Sequence, residues 1–180
     1  MKSSRRMRGL ALSELMFIVC LLSALALVGV LGRMSLADAR KTDSSKDRAV
    51  ALLQWFDDLA ADPAKVDLAQ RDQCTPDEVA NGSGKTWLAC RNALLAEGGP
   101  LHGIVNPFES EYPVFGDKCE RKNTATRGII VVEESLKVMP GQPAAFGPMP
   151  PTRPLEKDLG FRVIVCDEGS FPIKVGESKL

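Results

Sequence analysis

Six side chains in this 180-residue chain have chemistry worth weighing: one histidine, His102; one carboxylate set at the edge of an apolar run, Glu14; and four cysteines beyond that run, Cys74, Cys90, Cys119 and Cys166. The cysteines form an even set without a C-x-x-C pair. That pattern favours disulfides over zinc or a redox motif, and with them an oxidising compartment. Of the three possible pairings, sequence proximity alone selects Cys74 with Cys90 and Cys119 with Cys166. Such bonds would close loops of 17 and 48 residues, for about 3 and about 4 kcal/mol respectively in the chain-entropy estimate. The fifth cysteine, Cys20, lies inside the apolar run and reads as a small apolar filler of a helix.

The remaining polar groups offer little catalysis. His102 sits in the glycine-flanked stretch GGPLHGIV, where no recognised motif ties a serine, cysteine or carboxylate to it, so it reads as a surface residue. The chain lacks G-x-x-x-x-G-K-[ST], G-x-S-x-G and H-E-x-x-H, hence a phosphate cradle, a nucleophile elbow and a zincin helix. The adjacent acids Asp167 and Glu168 read as a solvated turn, with a calcium site as the alternative. We expect no enzyme, no catalytic residue, no cofactor and no resident metal.

Formal charge is zero, yet its distribution is uneven. The first nine residues, MKSSRRMRG, carry Lys2, Arg5, Arg6 and Arg8 and no acid; without them 19 basic residues face 23 acidic ones. The remainder has no global attraction for nucleic acid, and none is expected as a partner. From Leu15 to Gly32 there is no charged residue for 18 positions, about 27 Å of helix and close to the hydrocarbon thickness of a bilayer. A conventional secretory signal, cut near Ala37-Asp38-Ala39, is the competing reading. Its apolar core would be longer than usual and would begin at an acid.

The basic leader, Gly9 and the following LALSELMFIVCLLSALALVG resemble the N-terminus of the type IV prepilins. The resemblance covers about residues 1 to 60. It implies a leader of residues 1–9, cleavage by a prepilin peptidase between Gly9 and Leu10, N-methylation of Leu10, and an assembly role for Glu14, the fifth residue of the processed chain. Physical chemistry makes that last role intelligible. The cut would create an α-amino group at Leu10, one helical turn from Glu14. Bundled into a fibre core, each charge would need an opposite partner, because an unpaired buried charge costs several kcal/mol. Pairing Glu14 with the Leu10 amine of a neighbouring subunit satisfies both; a helix-start cap is the plainer role for Glu14.

Residues 10–32 would form a transmembrane and assembly helix, continued by an amphipathic segment over 33–61 with Leu52, Phe56 and Leu59 at helical spacing. Asp62-Pro63 would end it. Residues 62–125 would hold helices and loops: a short helix starting at Thr75 as N-cap and running to about Ala80, a turn at 81–84, and a helix from about Thr86 to Glu97 closed by Gly98. The segment VNPFESEYPVF at 105–115 reads as a proline-bounded loop seating Phe108, Tyr112 and Phe115, or as an Asn-Pro-aromatic loop of the kind the family carries. Residues 126–180 would form an antiparallel sheet: one strand in TRGIIVVEES, two about a turn at Asp167 to Ser170, and a proline-rich loop over 140–154 too rich in proline for a central strand.

The expected fold is α+β, a long N-terminal helix on a small disulfide-braced antiparallel head. The resemblance implies a pilin, major or minor, of a type IV pilus. It would be held by a single pass of the cytoplasmic (inner) membrane with its C-terminal region outside, then passed through an inner-membrane assembly platform into an extracellular filament of other pilin subunits, serving adhesion, motility, DNA uptake or secretion. A type II secretion pseudopilin and a secreted or membrane-anchored binding module are the alternatives.

Overall fold

The computed structural model describes residues 12–76, 85–136 and 144–180. Gly9 and Leu10, the end of the helix expected to reach Ala80, the turn at 81–84, and Pro140 and Pro143 lie outside the described residues. The chain divides into two units, Met1–Ala37 and Asp38–Leu180.

The first unit contributes the opening of α1 (Leu12–Ala61), a helix without proline. Every residue from 13 to 37 whose burial is described is exposed there. In the second unit the same helix carries a buried stripe of Thr42, Ser45, Ala49, Leu52, Leu53, Phe56 and Leu59, the spacing of one helical face turned to a core. Asp62 ends α1 as expected: its backbone leaves the helical region (φ −152°, ψ 88°), and its carboxylate accepts from the Ala64 N–H at 3.2 Å, starting a single 3-10 turn at Pro63–Lys65.

Among the described residues two short helices follow, α2 (Leu68–Cys74) and α3 (Trp87–Leu95). The body of the helix expected after Thr75 lies outside the described residues, and α2, which precedes it, is an element the sequence reading did not include. Thr75 is the C-cap of α2, and both its N–H (2.8 Å) and its hydroxyl (2.7 Å) donate to the Arg71 carbonyl. Pro76 forces extended backbone on the residue before it, which suits either end of a helix. At its other end Asp67 caps the start of α2, its carboxylate accepting from the Ala69 N–H at 3.0 Å. Thr86 caps α3 as expected, its hydroxyl accepting from the Ala89 N–H at 3.3 Å.

Among the described residues of the second unit there are five strands: β1 (Phe115–Gly116), β2 (Ile130–Leu136), β3 (Ala145–Pro148), β4 (Gly160–Cys166) and β5 (Pro172–Lys179). β4 lies antiparallel between β2 and β5, and the opposite edge of β2 takes β3 antiparallel and β1 parallel. The sheet is therefore mixed, not antiparallel throughout. β1 spans two residues, too few to show an alternation in sequence, and it is fixed by Ile130 donating to the Val114 carbonyl at 2.8 Å. β3 rises from the proline-rich loop as an edge strand, the place where a sheet tolerates Pro148.

Alternation along the strands sorts two clusters. Ile130, Val132, Phe161, Val163 and Val165 join Leu52, Phe56, Leu59, Trp87 and Leu94 in the main core, while Ile129, Val131, Ile164 and Cys166 form a smaller cluster with Cys119. Phe56 meets Phe161 edge-on with ring centroids 5.0 Å apart, and Trp87 meets Phe115 at 5.8 Å. Gly176 lets helix and strand close up, since a Cβ there would stand 2.7 Å from Leu53 Cδ1.

Candidate functional site: an exposed apolar helix and a braced head

Two arrangements are open to functional interpretation, one in each unit. In the first, thirteen large apolar side chains from Leu15 to Leu36 stand between 44% and 68% exposed. A window of this helix has a mean hydropathy of 2.7 with none of it buried, long and apolar enough to cross a membrane. Discounted for their partial cover, these side chains represent on the order of 10–20 kcal/mol of unrealised apolar burial, as much as an ordinary domain's whole stability. Ser23 contributes no open polar group, because its hydroxyl donates to the Val19 carbonyl at 2.8 Å. Glu14 lies exposed in the first turn, and Cys20 is exposed with a free thiol.

In the second unit the four remaining cysteines form two bonds. Cys74–Cys90 joins the end of α2 to α3 with Cα atoms 4.6 Å apart, and Cys119–Cys166 ties the loop after β1 to the end of β4 at 5.5 Å. This is the pairing that proximity selects.

The long loop between α3 and β2 is held by Asn106, which is 3% exposed. Its amide donates to the carbonyls of Pro113 (3.1 Å) and Arg127 (2.8 Å), and its Oδ1 accepts from the Phe108 N–H at 2.9 Å. Beside it Ser45, wholly buried on α1, donates to the Gly128 carbonyl at 3.1 Å, and Arg48 donates to the Val105 carbonyl at 2.5 Å. Gly128 has φ +69, and a Cβ there would fall 2.7 Å from Phe108, 2.9 Å from Asn106 and 3.1 Å from Ser45. Asn-Pro-Phe is thus the staple of this loop. Phe115 is buried, and Phe108 and Tyr112 are half-buried. Sequence reasoning missed Ser45 and Gly128, although a serine at the helical spacing of a largely apolar stripe is a signal of a buried polar partner.

Groups weighed for chemistry are otherwise engaged or dispersed. Asp167 Oδ1 accepts from the N–H groups of Gly169 and Phe171, both at 2.8 Å, which makes it a turn anchor, while Glu168 is exposed. His102 is exposed, its Nδ1 3.4 Å from the Leu95 carbonyl. Lys118 and Glu120 pair at 2.7 Å. That hydrogen bond, with a second from Asn123, holds the Glu120 carboxyl below the usual carboxylate range, and the same bond raises the Lys118 ammonium. Two open grooves, about 450 Å³ and about 680 Å³, share Lys157 and Asp158. The larger is crossed by Arg153, which pairs with Glu134 at 2.6 Å and Glu156 at 3.3 Å.

No protein-family model, curated protein or solved structure matches this chain.

Proposed function

We propose that this protein is a type IV pilin-like structural subunit, cut after Gly9 and packed through its N-terminal helix into a filament whose outer surface is the disulfide-braced head. The observation that carries this reading is an apolar helix of membrane-spanning length, left uncovered by the described remainder of its own chain and continuous with the helix that forms the core of an α+β head. Lipid covers such a surface before assembly, and the same surface on neighbouring subunits covers it afterwards. Glu14 then has the task of pairing with the Leu10 amine of a neighbour. The two disulfides suit a head displayed outside the cell.

Intact-mass measurement of the mature protein, with and without reductant, tests the reading. A chain beginning at Leu10 and about 4 mass units heavier after reduction of two disulfides supports it. A chain beginning near Ala39 or Arg40 overturns it, because no assembly helix would be left.

A further inference from the structure

Within the second unit, α1 carries nine charged residues from Asp38 onward and Asp62 follows just beyond its end, and most of the ten are engaged locally. Asp38 pairs with Lys41 (3.6 Å), Asp43 with Lys46 (3.0 Å) and Asp62 with Lys65 (3.7 Å). Arg48 donates to the Val105 carbonyl, and Asp57 accepts from Ser178. The side chains of Arg40, Asp47 and Asp58 have neither an ion pair nor a hydrogen bond among the described residues, and all three are exposed. Their placement is regular. Asp47 and Asp58 lie seven and eighteen residues beyond Arg40, which at about 100° per residue puts all three within about 20° of one line along the helix. Exposed Ala51 falls on the same line, leaving room for a second helix to approach.

We infer that this line is a self-complementary docking face, in which Arg40 of one copy pairs with Asp47 or Asp58 of the next copy, the helices parallel and staggered. The inference rests on the filament reading, which makes neighbouring helices parallel because all enter from one membrane. At zero stagger each charge would meet its own kind and repel. A shift of seven or eighteen residues, about 10 or about 27 Å, instead sets the arginine against an aspartate. Charge pairs of this kind select register and partner more than they add raw affinity, so the face would fix how far each subunit climbs past the last.

The test uses the full-length chain in its own cells, with fibres sheared from the surface and the subunit quantified there and in the membrane. Non-reducing electrophoresis reports whether the head has formed its disulfides. Arg40→Glu should lower the fibre-to-membrane ratio roughly tenfold or more while disulfides form normally, and a second reversal, Asp47→Arg or Asp58→Arg, should restore it in one of the two combinations. That combination identifies the stagger. Undiminished incorporation of Arg40→Glu overturns the inference, as does failure of both double variants to recover. If the unaltered protein is absent from sheared fibres, the filament reading itself has failed, and the inference falls with it.

Discussion

Replacing Asn106 by alanine removes three hydrogen bonds at once, which makes it the sharpest test of how the head is held. The carbonyls of Pro113 and Arg127 and the N–H of Phe108 would lose their partner. A buried polar group left unsatisfied costs about 1–3 kcal/mol. Water can reach part of this loop, since Pro113 itself is exposed, so a loss of about 2–4 kcal/mol is the working figure rather than the full sum of three penalties. For a unit of this size that corresponds to a fall in melting temperature of roughly 5–15 °C. Urea unfolding of the detergent-solubilised protein, followed by the fluorescence of Trp55 and Trp87, should show a lower midpoint with an unchanged slope. Asn106→Asp provides the discriminating comparison. It keeps an oxygen for the Phe108 N–H but sets a carboxylate oxygen against two carbonyls, so it should destabilise more than alanine does. A loss below about 1 kcal/mol for alanine, or an aspartate variant more stable than the alanine one, would refute the assignment of Asn106 as the staple.

Three other outcomes follow from the same structure. Removing Cys119–Cys166 by a double serine substitution should cost about 4 kcal/mol and removing Cys74–Cys90 about 3 kcal/mol, by the lengths of loop they close; paired urea titrations give the order, and a reversed order would contradict it. Gly128→Ala should destabilise by about 2 kcal/mol or more, exceeding the roughly 1 kcal/mol expected of Ser45→Ala, because it meets both an unfavourable φ and three crowding side chains; thermal melts of the two variants decide the ranking. Glu120, with its carboxyl lowered by Lys118, contributes stability that is complete above the ordinary carboxylate range of about 4 and is lost as pH falls through its lowered folded value. Glu120→Gln should therefore flatten the acid limb of a stability-against-pH curve, and an unchanged limb would show that the pair is solvent-screened to nothing.

Much of this architecture is legible in the sequence because it depends on local chemistry. The absence of proline up to Asp62-Pro63 delimits α1, Thr86 announces α3, and branched residues mark β2 and β4. What was not legible depends on partners distant in sequence. β1 exists only because Ile130 donates to the Val114 carbonyl, and two residues carry no periodicity. The start of α2 hides in Asp67, a common residue whose capping role needs the helix to be known first. Likewise Asn106 stands out in sequence for its proline neighbour, but the carbonyl of Arg127, twenty-one residues away, becomes its partner only once the loop closes. The role of the exposed helix belongs to a third kind: length and apolar content are plain, whereas no described residue of the chain covers it.

That last point fixes the physical demand on any account of this protein. Leu52, Phe56 and Leu59 satisfy the helix within the head, where they belong to a core of twenty buried residues among those described. From Leu15 to Leu36 no comparable cover exists in the described chain, and water is a poor solvent for thirteen large apolar side chains. Lipid satisfies that demand without any specificity, since one oily helix is as soluble in it as another. Neighbouring helices satisfy it too, and on the proposed reading they also give a reason for the three charges on one line further along whose side chains have no ion pair or hydrogen bond among the described residues. Under the proposed reading the apolar surface supplies the energy of association, and Glu14, Arg40, Asp47 and Asp58 supply its register, because an oily contact alone slides freely along a helix whereas an ion pair fits at one height.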